Sequence, residues 1–191
     1  MQGSTNRKGD KRDRTRARLI EAAAESIREK GYDRTTLEEV AKRAGMTRGA
    51  IYGNFESRED LLLAVALSHW EPIAPELKSG ASLKEHMRAI GEAVVAAVPQ
   101  RQAAAVGAAS FQVYALTHEE LRKNVAESNA RTYAWAEEQL GRFVDADDLP
   151  MPIDQFVRVV HALTEGLLSL RFLTPDLIPD ETIIAAFEAL A

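Results

Sequence analysis

The segment TLEEVAKRAGMTRGAIYGNF, from Thr36 to Phe55, constrains this chain more than any other, because two helix starts and one helix stop fall within it. Thr36 stands at an N-cap position with Glu39 three residues on, the spacing at which a hydroxyl accepts from an orphan amide while a carboxylate reaches back. Leu37, Val40, Ala41 and Ala44 then share one apolar face, and Gly45 follows where a left-handed cap needs no Cβ. Thr47 opens a second helix with Ile51 and Phe55 four apart on its inner side. Arg48, Gly49, Ala50, Tyr52 and Asn54 are left to face outward. Two short helices joined by a tight turn make a helix-turn-helix. Its outer face combines small residues that allow close approach with polar ones that reach phosphates and base edges. Arg48 suits a bidentate contact to guanine, whereas Thr47, Tyr52 and Arg58 suit the phosphate backbone.

Charge follows the same division. Residues 1–60 hold 14 Lys and Arg against 11 Asp and Glu, and residues 61–191 hold 10 against 18, so a net charge of −5 conceals a basic amino-terminal third. The basic end points to nucleic acid and the body is acidic. Cysteine is absent. That removes disulfides, thiolate zinc sites and cysteine nucleophiles, and fits a reducing cytoplasm. Residues 1–20 lack the apolar core of a signal peptide, and the run Leu61–Leu67 is too short to span a bilayer, so the expected location is cytoplasmic, with no membrane partner.

The rest of the chain spells helices, and the expected fold class is all-α. Residues 1–12 are polar and without periodicity, and are expected to be a disordered basic arm. Leu19, Ala23, Ser26 and Ile27 mark a first amphipathic helix that Gly31 stops. Ser57 caps the next helix, with Asp60 three residues on, and it is expected to run toward Trp70 until Pro72 and Pro75 end it. A stripe of Leu83, Met87, Ile90, Val94 and Val98 stops at Pro99, and residues 102–117 read as a separate, nearly all-apolar helix. A longer charged helix, His118–Phe143, precedes a loop at Asp145–Pro152. Phe156, Val160, Leu163, Leu167 and Leu170 then form a heptad seam, and a last helix carries Ile183 and Phe187. These seven residues are the expected dimer interface, with Gly166 beside the seam where a partner helix can come close.

The run TTLEEVAKRAGMTRGAIYGNFESREDLL closely resembles the DNA-binding domain of the tetracycline-repressor (TetR) family of transcriptional regulators. The resemblance rests on Thr36, the turn Ala44–Thr47, Gly49, Ile51 with Tyr52, Phe55, and Ser57 with Arg58. It covers roughly residues 14–65. Asn54 stands where a His is common and Arg58 where a Lys is usual. The resemblance implies a DNA-binding domain over residues 13–58 and a helical effector-binding and dimerisation domain over 59–191. The expected DNA-binding set is Thr36, Thr47, Arg48, Gly49, Ala50, Tyr52, Asn54 and Arg58. It also implies a homodimer on double-stranded operator DNA, paired through its last two helices as a four-helix bundle. Between the DNA-binding domain and that bundle, the family encloses an inducer cavity, for which Trp70, Met87, Phe111, Tyr114 and Trp135 are the candidates. His86, Gln112, His118 and Arg131 are the polar side chains that could orient a small-molecule effector.

Enzymatic chemistry finds no foothold. The histidines lie far apart, so no metal site is expected, and no phosphate loop, nucleophile elbow or cofactor motif occurs. Adjacent acid pairs such as Glu119 with Glu120 point in different directions on a helix and read as solvated faces. The competing reading is a helical ligand-binding or scaffolding protein whose DNA-binding end is vestigial. The intact set of Thr47, Gly49, Tyr52 and Arg58 counts against it.

Overall fold

A computed structural model describes residues 6–68, 73 and 75–191, and all their regular structure is helical. The helices are α1 (Asn6–Lys30), α2 (Leu37–Arg43), α3 (Arg48–Tyr52), α4 (Arg58–Ser68), α5 (Leu83–Leu116), α6 (Glu119–Leu140), α7 (Ile153–Leu173) and α8 (Asp180–Glu188), with a short 3₁₀ turn at Ala146–Asp148. Helix α1 begins earlier than the expected arm allows. Residues 6–12 extend it, because Lys and Arg are good helix formers even where no apolar face calls for packing. Residues 1–5 lie outside the described part.

Two compact units result: Met1–Trp70 with Gly107–Val125, and Glu71–Val106 with Ala126–Ala191. The division therefore does not fall at residue 58, because Phe111, Ala115 and Leu121 bury themselves against Leu62 and Leu63 of α4. Helices α5 and α6 each contribute residues to both units.

In the first unit, Leu19 and Ala23 of α1, Leu37 and Val40 of α2, Ile51, Phe55 and Leu61 close one core. Gly31 and Gly45 make its corners with φ of 83° and 64°, values that favour glycine because a side chain there crowds the following carbonyl. The N-cap expected at Thr36 is present, accepting from the Glu39 amide at 3.3 Å. The reciprocal half of the capping box is not. Glu39 instead pairs with Lys30 and accepts from Ser26, joining α2 to α1.

In the second unit the core is Met87, Val94, Leu140, Val144, Phe156, Val157, Leu167, Leu168, Ile183 and Phe187. Here two expectations are corrected. Pro99 does not end a helix: α5 is one 34-residue helix with Pro99 inside it. The ring lies on the exposed side, while buried or half-buried positions recur at spacings of three and four from Met87 through Val94, Val98 and Arg101 to Phe111 and Ala115, so the packed stripe runs past it. The dimer set is also changed. Phe156, Leu167, Ile183 and Phe187 are buried in this unit's own core, Val160 and Leu163 are half-buried against it, and only Leu170 is exposed. The cause is the close docking of α8 on α5: a Cβ on Gly91 would stand 3.0 Å from Ile184 Cα and 3.3 Å from the Phe187 ring. That contact consumes the apolar face of α8. Helix α7 instead leaves Val159, Ala162, Gly166, Leu170 and Leu173 exposed along another face.

Candidate nucleic-acid interface

Helix α3 is short and is held at both ends. Thr47 caps its start, its hydroxyl accepting from the Ala50 amide at 3.2 Å, and Ile51 and Phe55 anchor it in the core. Helix α1 clamps the same region from behind. Arg16 donates to the Asn54 carbonyl at 2.7 Å with its guanidinium 4.3 Å from the Phe55 ring centroid, and Arg18 donates to the Ala44 carbonyl at 2.9 Å. Neither arginine follows from apolar periodicity, since both flank the packed stripe and act through backbone carbonyls that only the fold brings near.

The outer face carries Thr36, Thr47, Arg48, Gly49 and Tyr52 exposed together, with Ala50 half-exposed. Arg48 has 74% of its side chain in solvent and Tyr52 is 52% exposed. A Cβ on Gly49 would meet nothing but Thr47 Oγ1 at 3.8 Å, so nothing inside the chain requires glycine there. Its smallness serves whatever approaches from outside.

Glu38, on α2, organises this face and had no signal in the sequence. Its Oε1 accepts from Arg48 Nη2 at 2.8 Å and from the Tyr52 hydroxyl at 2.9 Å. The bond from Arg48, then bonds from its own backbone and from Tyr52, hold the carboxyl down to about 2. In the absence of a polyanion, one carboxylate thus aligns the two side chains, both of whose donors a phosphate or base edge can take over.

Two expected contacts are corrected. Asn54 does not face outward: its Nδ2 donates to the Ala50 carbonyl at 2.7 Å and its Oδ1 is buried without a partner. Arg58 is not presented to a phosphate either. Its side chain is only 24% exposed, and its donors go to the Thr35 carbonyl at 2.7 Å, the Tyr32 carbonyl, and the Tyr114 hydroxyl at 3.0 Å. A planar guanidinium finds acceptors in three directions at this corner and satisfies them before any DNA is present.

The described candidate effector residues fall in different units. Met87 is buried in the second unit, Phe111 and Tyr114 pack with Tyr32 in the first, and Trp135 is 52% exposed. Trp70 lies outside the described residues. Met87 and the pair Phe111 and Tyr114 serve the cores of their own units. Of the polar candidates, Gln112 and Arg131 are exposed and His118 stacks on Tyr114. His86 is buried, its Nε2 against the Lys78 carbonyl at 3.0 Å and its Nδ1 without a partner. A surface cleft of about 280 Å³ in the second unit is lined by Glu76, Lys78, Ala89, Glu92 and Ala93, none of them among the candidates. That unit also holds a polar group not anticipated: Tyr133 Oη lies 2.8 Å from His161 Nδ1, and His161 Nε2 is 3.9 Å from Glu165. Burial pushes Glu165 up and His161 down, so both are biased toward their neutral forms.

Among the described residues no helix is long and apolar enough to cross a membrane. Residues 19–65 match the sequence model of bacterial regulatory proteins, tetR family. The HTH-type transcriptional regulator SrpR of Pseudomonas putida is 27% identical over 158 residues, which cover 81% of this chain and 73% of that protein. Among solved structures, NalD, the secondary repressor of the MexAB-OprM multidrug efflux pump in Pseudomonas aeruginosa, aligns over 92% of each chain with a TM-score of 0.57 and 24% identity. A complex of SmeT with triclosan aligns over 92% of this chain and 90% of that one, with a TM-score of 0.58 and 20% identity. At such identities the two structures speak for the fold, while the matched segment speaks for the DNA-binding end. Over residues 19–65 the chain therefore carries the helix-turn-helix DNA-binding domain of the tetR family of bacterial regulatory proteins, on a fold that TetR-like regulators share.

Proposed function

We propose that this protein is a cytoplasmic, homodimeric repressor that occupies a near-palindromic operator and leaves it when a small, mostly apolar effector binds. One observation carries the DNA-binding part: the N-cap Thr47 and Arg48, Gly49 and Tyr52 of α3 are exposed together, while Ile51 on its other side and Phe55 just beyond its end are buried. Arg48 reads a base edge, Thr47 and Tyr52 hold phosphates, and Gly49 with Ala50 lets the groove wall come close. Thr36 stands exposed at the start of α2, within reach of the same backbone.

Two such helices reach successive major grooves only if a dimer holds them roughly 34–36 Å apart. The exposed stripe of Val159, Ala162, Gly166, Leu170 and Leu173 on α7 supports a dimer through that helix. Repression is supported by the likeness to NalD, itself a repressor, and effector binding by the likeness to SmeT, solved with triclosan. The effector belongs to the second unit, where Tyr133 and His161 offer polar atoms among apolar helices. The rival reading, a helical ligand-binding or scaffolding protein with a vestigial DNA-binding end, leaves the exposed set on α3 without a purpose.

Selection of random duplexes on the full-length protein tests the reading. Enrichment of a palindromic sequence, bound with an affinity that falls steeply with salt, is the expected result. Recovery of no sequence over background, with no salt-dependent binding, would leave only the rival.

A further inference from the structure

We propose that Arg58 is a positioning residue that locks the loop before α2 to the corner between α5 and α6, and that operator affinity depends on this lock rather than on a phosphate contact by Arg58. The proposal rests on the DNA-binding reading above and names how the surface on α3 is held. All its parts lie in the first unit.

The guanidinium joins three pieces of chain. Nε donates to the Thr35 carbonyl at 2.7 Å, Nη2 to the Tyr32 carbonyl, and Nη1 to the Tyr114 hydroxyl at 3.0 Å, with Glu59 3.4 Å from Nη1. Around it, Tyr114 stacks on Tyr32 with ring centroids 5.1 Å apart and on His118 with centroids 3.8 Å apart. Tyr32 also reaches the Gly107 carbonyl at 3.4 Å, so the corner is attached at two points. A lysine cannot reproduce this, because one ammonium is a point charge without a planar fork that serves acceptors in fixed directions.

The lock has a direct route to the DNA-facing side chains. Thr35, whose carbonyl Arg58 holds, is fully buried and immediately precedes Thr36, the N-cap of α2. Two residues beyond that cap stands Glu38, the carboxylate that aligns Arg48 and Tyr52. The register of the α2 start therefore sets where Glu38 stands, and Glu38 sets Arg48 and Tyr52. Tyr114 belongs to the last turns of α5, so the hydrogen bond from Arg58 ties the start of α2 to that end of the helix.

The test uses a duplex selected by the wild-type protein, with binding measured over a range of salt for R58K, R58Q, Y114F and the double variant R58Q/Y114F. The lock requires Y114F to be weakened by about three- to tenfold, the range that one hydrogen bond spans, and R58K to be as weak as R58Q, both at least as weak as Y114F. The salt slope stays parallel to wild type, and the double variant is no weaker than R58Q alone. Direct phosphate binding by Arg58 gives the opposite pattern: R58K near wild type, Y114F unchanged, and R58Q with a salt slope smaller by about 0.9, the value for one phosphate no longer neutralised. Either that pattern or additive losses in the double variant overturns the proposal. If the wild type selects no duplex, the DNA-binding reading has failed on its own. The lock is then read from urea denaturation, where R58K and Y114F must be non-additive. Because Y114F keeps the ring and its stacking, it reports even if R58Q does not fold.

Discussion

Gly166→Leu separates the two ways in which α7 can use its exposed face. Within one chain a Cβ at this position meets nothing within 4 Å, so the larger side chain enters open space. Glycine inside a helix costs about 0.8 kcal/mol relative to a good helix former, and an isolated chain gains that amount from the substitution. In a dimer packed through Val159, Ala162, Gly166, Leu170 and Leu173, the same side chain enters the interface twice, once from each subunit. Overpacking costs about 1–3 kcal/mol, or roughly a 5- to 150-fold weaker dimer for each such clash. The variant should therefore melt above wild type at low protein concentration, where monomers prevail, and below it at high concentration. Sedimentation equilibrium, run beside melts at several concentrations, reads both effects. An unchanged dimer constant together with a concentration-independent rise in Tm would refute dimerisation through this face.

Gly45→Ala should lower stability by about 1–2 kcal/mol, because φ is 64° and the cost is one of backbone conformation with no clash, a loss that urea denaturation will show. Phe55→Ala, which empties a site only 1% exposed and removes the ring under Arg16, should cost about 3–5 kcal/mol, and unchanged urea stability would contradict the anchoring of α3. Arg48→Ala should cost about 1–3 kcal/mol on the selected operator and relax preference at one position per half-site, with an unchanged selection profile arguing against base readout. The Glu38 carboxyl, held down to about 2, should titrate far below an ordinary glutamate by NMR and move back up in Arg48→Ala. Its folded value is depressed, so its bonds with Arg48 and Tyr52 are complete above the ordinary carboxylate range and disappear as pH falls through about 2.

The helix-turn-helix was legible in the sequence because its determinants are local. Caps at Thr36 and Thr47 and the left-handed glycine at 45 act within one turn of chain, and Ile51 with Phe55 needs no more than helical periodicity to be assigned inward. The same local logic explains why α3 presents Arg48 and Tyr52, and why the exposed set on it was identified with two exceptions. Asn54 and Arg58 were misread because their partners, Ala50 and the trio of Tyr32, Thr35 and Tyr114, compete for the same donors, and sequence position does not rank such competitors.

Beyond residue 65 the sequence determined helicity and little more. Periodicity says that a face is buried, and never against what. The heptad-like seam from Phe156 to Leu170 has the spacing of a dimer contact, yet the tertiary structure spends most of it on the unit's own core, because Gly91 admits α8 onto α5. Of the residues expected to converge, Met87 lies in one core and Phe111 with Tyr114 in another, all three on α5, and Trp135 is half in solvent. Pro99 was decided in the same way: its local cost is real, but a packed stripe on the opposite side of the helix carries the chain past it. Local propensity acts over a few residues, whereas burial sums over every side chain that the packing brings together, and for this chain the packing decided which faces remain for a partner.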